Sequence, residues 1–333
     1  MEIGKLDNET LERLVLGRVG ELRPEVIVGP GIGEDCAVLD FGEYECVLST
    51  DPITASASRV GTLAVHIACN DVASNGVEPM AIMLTVLLPP SVTEGEVSEI
   101  ARQADEAAKA LGVQIIGGHT EVTDVVVQPV VSAVAIGRTA PKHNEHSGDG
   151  SFCAPGNLVI VTKTLALEGT AIAAEQKERE LRPFLTDDEI GRAKAMIDQI
   201  SVVKEGVIAG RAGAQAMHDV TEGGVLGAVW EVCRRLGVGA EIEAGALPFD
   251  SVTMTVCAVL GLDPMRLISS GSMLMVVPPE TKESLVAALS EAGVSATVIG
   301  RLTAPEDGVV LVMKDGEREQ IGPPGPDEIY NIC

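Results

Sequence analysis

Gly29-Pro30-Gly31-Ile32-Gly33-Glu34-Asp35 is the stretch on which the reading of this chain turns, for it sets three glycines and two carboxylates in one short turn ahead of a strand. Glycine lets a backbone take positive φ and approach a ligand closely, and adjacent acids can hold a divalent cation that neutralises phosphate. Taken alone, the stretch fits an acidic surface turn better than a nucleotide lid, because isolated glycine-rich motifs recur widely. It is neither a Walker A loop, lacking Gly-Lys-Ser/Thr, nor a dinucleotide fingerprint. The rest of the chain decides between the two readings.

A chain of 333 residues has room for two ordinary domains, and 46% hydrophobic content gives each a core. With 36 glycines but only one Trp, two Tyr and four Phe, that core is built from Ala, Val, Ile, Leu and Met, which suits closely packed strands and helices. The formal charge of -25 excludes nucleic acid as a partner, because phosphate backbones need basic surface. A polyphosphate ligand would need bridging metal. The seven cysteines, at 36, 46, 69, 153, 233, 257 and 333, form no CxxC or Cys/His cluster, so neither zinc nor a disulfide framework is indicated and a reducing cytoplasm fits. No apolar run approaches the roughly 20 residues needed to span a bilayer.

Hydrophobic periodicity predicts a helical segment over 8–20, strands over 36–39 and 45–50, and an Asp, Asp51, at the second strand's end. Val60, Ala64, Ile67, Ala68 and Val72 make one face of a helix over 60–75, and Asp71 falls on that same face beside Asn70. A carboxylate there is costly without a partner, which points to a metal or a polar network. A central strand follows over 80–88, then a helix over 94–111 whose role is packing. The strand 113–116 delivers Gly117-Gly118-His119-Thr120-Glu121 at its end, with Thr120 and Glu121 as oxygen ligands, and a strand over 125–136 comes next.

The polar segment Pro141–Pro155 reads as a linker, giving domains at 1–150 and 151–320. Beyond it come a strand over 157–163, a turn over 165–169 and a helix over 187–200 capped by Thr186. Residues 217–225, Met-His-Asp-Val-Thr-Glu-Gly-Gly-Val, open a helix whose N-terminus suits either an anion or an N-cap. Residues 321–333 are rich in Pro and Gly and read as a flexible arm ending in Cys333, able to extend about 35 Å beyond Gly322 at about 3.3 Å per residue.

In this order, Gly31-Ile32-Gly33-Glu34-Asp35-Cys36-Ala37-Val38, Ser49-Thr50-Asp51, Asn70-Asp71, Gly117-Gly118-His119-Thr120 and Asp219-Val220-Thr221-Glu222-Gly223-Gly224 resemble the PurM-like (AIR synthetase-related) ATP-binding superfamily. The His218–Leu226 stretch and the Ile332-Cys333 terminus are most similar to its HypE type, a group of hydrogenase maturation proteins. The resemblance implies an α/β (α+β) fold of two domains, with a mixed-sheet N-terminal domain that pairs in a homodimer, a C-terminal α/β domain and a flexible tail. It also implies ATP and Mg2+, a HypF-type carbamoyltransferase and a HypC–HypD-type complex as partners, and dehydration of a carbamoyl group on Cys333 to a thiocyanate.

Carried over on matching positions, Asp35, Asp51 and Asp71, with Glu121, would be metal ligands. Gly31, Gly33, Asn70, Gly117, Gly118, Thr120 and Asp219 would face the nucleotide. Cys333 would be the modified residue, with Lys142 and Lys163 as charged groups near the reacting amide. Three departures stand out: His119 replaces the usual Asp of Gly-Gly-Asp-Thr, Ser270 replaces the Glu of a Ser-Glu-Gly implicated in dehydration, and Tyr330-Asn331 replaces Pro-Arg. The alternatives are a thiamine-monophosphate kinase or AIR synthetase type of reaction, with Lys163, Arg179 and Arg182 available for a phosphorylated substrate, and a non-catalytic nucleotide-binding scaffold.

Overall fold

In the computed structural model, which describes residues 6–54, 59–139 and 153–332, alternating side chains along 37–53 fold into a hairpin. Strand β2 (Ala37–Phe41) pairs antiparallel with β3 (Tyr44–Ile53) around Gly42, at φ +81°, whose amide bonds Asp40. With β1 (Val26–Val28), β4 (Pro79–Leu88), β5 (Gln114–Val122) and β6 (Val130–Arg138) the hairpin builds a six-stranded sheet ordered β1-β2-β3-β6-β4-β5. Every pair is antiparallel except β4–β5, where a helix makes the crossover that parallel strands require.

That helix, α3 (Glu94–Leu111), starts at a Thr93/Glu96 capping box and stops at left-handed Gly112. Before them the chain forms α1 (Asn8–Leu11), continued by a π-helical turn to Leu16, and α2 (Val60–Ser74). Helix α2 is buried almost all round because it lies between the first sheet and the second half of the chain.

The second half is a seven-stranded sheet: β7 (Leu158–Thr162), β8 (Ala216–Val220), β9 (Gly239–Glu243), β10 (Ser272–Val277), β11 (Ala296–Thr303), β12 (Val309–Val312) and β13 (Arg318–Gln320), ordered β13-β12-β9-β11-β7-β10-β8. Its helices are α4 (Leu167–Gln176), α5 (Glu178–Leu181), α6 (Asp187–Ala195), α7 (Val203–Arg211), α8 (Gly224–Leu236), α9 (Ser251–Leu260) and α10 (Lys282–Glu291). Two of these differ from the sequence reading. The expected turn at 165–169 is the start of α4, set by Ala166 at φ +60°, and α7 escapes the periodicity because Gly206 and Gly210 interrupt its apolar face. No helix among the described residues is long and apolar enough to cross a membrane.

Glycine at 206 is a packing requirement: a Cβ there would lie 2.1 Å from the Ala73 carbonyl oxygen, so α7 rests directly on α2. The Pro/Gly-rich segment 321–332, which composition alone suggests would be free, lies along the second half. Ile321 and Ile329 are buried there, and Ile329 and Ile332 join the apolar cluster around Leu167 and Leu267. Proline removes donors from such a segment, yet it leaves side chains free to anchor it.

Gly206→Ala is expected to lower the stability of the folded chain by at least about 2 kcal/mol, read from the urea midpoint, because backbone rather than a flexible side chain occupies the space. An unchanged midpoint would contradict the α2–α7 contact.

Candidate nucleotide and metal site

Four of the acids picked out from sequence meet at the junction of the two halves. Asp35 closes the glycine turn before β2, Asp51 lies inside β3 two residues before its end at Ile53, Asp71 sits in the last turn of α2 and Asp219 lies near the end of β8. The glycine turn itself rests on α8, since a Cβ on Gly33, at φ +74°, would lie 2.9 Å from the Glu231 carbonyl oxygen. Glu34 in the same turn stands 3.7 Å from the Arg235 guanidinium of α8. The turn thus bridges the halves, with Gly31 half-buried beside it.

Local hydrogen bonds fix these groups. Ser49 Oγ donates to Asp71 Oδ2, and Ser74 Oγ donates to the Asp71 carbonyl at 2.6 Å while lying 3.3 Å from Asp35 Oδ2. Asp219 is 1% exposed, and neither of its carboxylate oxygens finds a hydrogen-bond donor among the described residues. Beside it His218 is clasped between acids, with Nδ1 3.5 Å from Asp35 Oδ2 and Nε2 3.2 Å from Glu231 Oε2. Asp35, His218 and Asp219 each offer a ligand atom, and these atoms lie within 4.8 Å of one another.

The electrostatics follow from crowding like charges out of water. Burial lifts the Asp71 carboxyl well above the ordinary range, and Asp219 and Asp51 push it further. Burial likewise pushes Asp219 up to about 7, with Asp35 adding to the rise and His218 opposing it. For His218 burial works against the charged ring, but Asp35 and Glu231 outweigh it and hold the imidazole up at about 9. Neighbouring Cys36 is pushed up by burial and by the same carboxylates, so it is a packing residue rather than a nucleophile. The orphaned Asp219 oxygens and the surrounding carboxylates are a hard, oxygen-rich donor set, which fits a magnesium ion.

Other residues singled out from sequence lie elsewhere. Gly117, Gly118, Thr120 and Glu121 do not form a turn at a strand end; they continue as β5, the exposed outer strand, separated from β3 by β6 and β4. Glu121 pairs with His119 Nε2 at 3.0 Å, so within one chain it does not join the acidic cluster. Beside this strand, a groove of about 330 Å³ under α3 is lined by Leu84, Ile100, Gly117, Gly118 and Thr120.

Asn70 turns away from the cluster. Its Nδ2 donates to the Ile200 carbonyl and its Oδ1 accepts from the Val202 amide, both at 2.8 Å, which ties α2 to the second half. Lys163, in a left-handed conformation at φ +54°, spends its ammonium on Gln199 O at 2.8 Å, Ser201 O at 2.6 Å and Glu205 Oε1 at 2.7 Å. It is a strut rather than a group aimed at a substrate. Lys142 and Cys333 lie outside the described residues.

Sequence reasoning missed Glu231, the far partner of His218. The signal was present: Glu231 falls on the α8 face carrying Val225, Ala228 and Val232, the same anomaly that singled out Asp71.

Family models describe residues 33–139 as the N-terminal domain, and residues 154–313 as the C-terminal domain, of AIR synthase related proteins. The chain is 28% identical to a putative hydrogenase expression/formation protein of Methanocaldococcus jannaschii, over 92% of this chain and 91% of that one. It is 26% identical to the carbamoyl dehydratase HypE of Rhizobium leguminosarum bv. viciae, over 83% and 78%. Among solved structures, Escherichia coli HypE superposes with a TM-score of 0.76 at 22% identity, covering 93% of this chain and 96% of that one. A HypE in complex with ATP gives 0.69 at 20% identity, over 98% and 94%, and a HypE–HypF complex gives 0.71 at 22%, over 88% and 94%.

Replacing Lys163 by Met leaves Glu205 buried without its cation, a change expected to cost about 3 kcal/mol of stability in urea titrations. Nucleotide affinity measured on the folded variant should stay within about twofold, since the ammonium is held by protein groups. A large loss of affinity at unchanged stability would reverse that assignment.

Proposed function

The chain belongs to the AIR synthase-related family, and from that premise we propose that it is a HypE-like, ATP-dependent dehydratase acting on a carbamoyl group carried by Cys333. The observation that carries the reading is the meeting of Asp35, Asp51, Asp71 and Asp219 at the junction of the two halves, with Asp71 and Asp219 buried. Carboxylates gathered this way suit a magnesium–triphosphate ligand, and HypE relatives supply the substrate class.

Asp35, Asp51, Asp71 and Asp219 would hold magnesium, which when bound supplies positive charge to the transferring phosphoryl group. Ser49 and Ser74 fix the rotamers of the acids. His218, positively charged between Asp35 and Glu231, offsets part of the cluster's charge before the ligand arrives. The glycine turn at 29–35 brings main chain against the phosphates. In the reaction the amide oxygen attacks the γ-phosphorus, ADP departs and one N–H proton is lost. Loss of the second N–H proton with cleavage of the C–O bond then releases phosphate and leaves the thiocyanate.

Ser270, fully buried where HypE sequences carry a glutamate, favours a second reading in which the same site phosphorylates a different acceptor. A homodimer joined through the first sheet is part of the proposal: Met80, Ile116 and Val122 are exposed on or beside the unpaired edge strand β5. A HypF-type carbamoyltransferase, a HypC–HypD-type acceptor and a cytoplasmic location belong to the same reading.

The deciding experiment incubates the protein with carbamoyl phosphate, ATP, magnesium and a HypF-type partner and follows the C-terminal peptide by mass spectrometry. A carbamoyl adduct on Cys333 that then loses one water is expected. No adduct, with ATP turnover unchanged in Cys333→Ala, would overturn the substrate and favour the second reading.

Asp51→Asn and Asp71→Asn should each weaken magnesium-ATP binding by at least about tenfold in titration calorimetry, as loss of a ligand should cost no less than loss of its supporting group. Unaltered affinity in both variants would dismiss the carboxylate site.

A further inference from the structure

Glu231 and Arg235 stand one turn apart on α8, so their side chains leave the same face of the helix. Each reaches both β8 and the glycine turn. Glu231 sets Oε2 3.2 Å from His218 Nε2 on β8, and its carbonyl oxygen is the surface on which Gly33 rests. Arg235 donates from Nη2 to the Met217 carbonyl of β8 at 3.5 Å and sets Nη1 3.7 Å from Glu34 Oε2 in the turn. The Arg235 side chain is 12% exposed, and a Cβ on Gly33 would lie 3.5 Å from Arg235 Cβ, so the arginine stem and the turn are packed together.

Glycines at 29, 31 and 33 leave most of the turn without side chains of its own to hold it, and they give its backbone wide conformational freedom. Asp35, at the end of the turn, has to keep its place all the same. Its Oδ2 lies 3.3 Å from Ser74 Oγ in the first half and 3.5 Å from His218 Nδ1 in the second, and its ligand atom falls within 4.8 Å of those of His218 and Asp219. A swing of the turn away from α8 carries Asp35 away from Asp219.

We propose that Arg235 is a positioning residue for the metal site: paired with Glu34 and tied to the Met217 carbonyl, it seats the glycine turn on α8 and so keeps Asp35 beside Asp219. The proposal rests on the reading of Asp35, Asp51, Asp71 and Asp219 as metal ligands, and goes beyond it by assigning the seating of the first to a residue of the other half. Arginine suits the task because its guanidinium presents several donors in a fixed fork, so one side chain grips a carboxylate and a carbonyl together.

The charge on Arg235 separates this role from a plain field effect. A cation beside a metal site repels the metal, so by charge alone removing Arg235 tightens metal binding. Removing a residue that seats Asp35 loosens it. The two effects have opposite signs.

Titration of the full chain with Mn2+ alone, without nucleotide, tests the proposal, with the free ion read by electron paramagnetic resonance. Arg235→Met is expected to weaken Mn2+ binding about tenfold, the scale of loss when the support of a metal ligand is removed. A urea midpoint confirms that the variant is folded, and Arg235→Gln takes its place should the methionine variant not fold. Arg235→Lys, which keeps a cation opposite Glu34, should recover most of the loss. In a Glu34→Gln background Arg235→Met should weaken binding no further, because the route through Glu34 is already gone. Binding unchanged or tightened in the folded variant would overturn the proposal, as would a loss that lysine does not recover or that persists undiminished in the Glu34→Gln background. A wild-type chain that holds no Mn2+ would overturn the carboxylate site and this proposal with it, whereas a wild type that binds and is indifferent to Arg235 overturns the seating alone.

Discussion

Asp71 and Asp219 are buried with Asp35 and Asp51 half-buried beside them, so like charges crowd one another where water is scarce. Burial and mutual repulsion lift Asp71 and Asp219, and the imidazole of His218 is held positive among the acids. A polypeptide retains such an arrangement where a ligand brings the missing positive charge, because a buried unpaired carboxylate is otherwise among the most expensive groups a fold can carry. The orphaned oxygens of Asp219 are the clearest sign of that missing charge.

The pocket exists because two halves of the chain are fastened with little freedom to shift. Helix α2 carries Asp71 toward the pocket and, one residue earlier, Asn70 toward the second half, so the same helical turn both makes the site and locks the joint. Gly206 removes the spacing that any side chain would impose, and Lys163 braces the neighbouring main chain against Glu205. Movement of one half against the other would separate Asp219 from Asp35, Asp51 and Asp71. Rigidity at this joint and the chemistry of the pocket are thus one design problem.

Much of this was legible in the residues. The capping box and left-handed glycine define α3 at both ends, and Asp71 on an apolar helical face announces its own burial. Asp35, Asp51, Asp71 and Asp219 were singled out through the family resemblance, and the structure brings the four side chains near one another. Other positions were decided by tertiary contacts that no local pattern encodes. Asn70 is next to a site residue in sequence but points the other way, and Lys163 meets its partners only across the joint. The glycine pair at 117–118 reads as a turn, yet pairing with β4 extends it into strand. The segment 321–332 has the composition of a loose arm, but Asp327 supplies the anchoring hydrogen bonds that its prolines cannot.

The central claim is that these four acids hold a metal on the phosphates of a nucleotide. It is tested most directly by crystals grown with manganese and a non-hydrolysable ATP analogue, with anomalous scattering recorded at the manganese edge. The account predicts an anomalous peak among Asp35, Asp51, Asp71 and Asp219, in contact with the triphosphate. Nucleotide bound elsewhere in the chain, with no peak among these carboxylates, would contradict it.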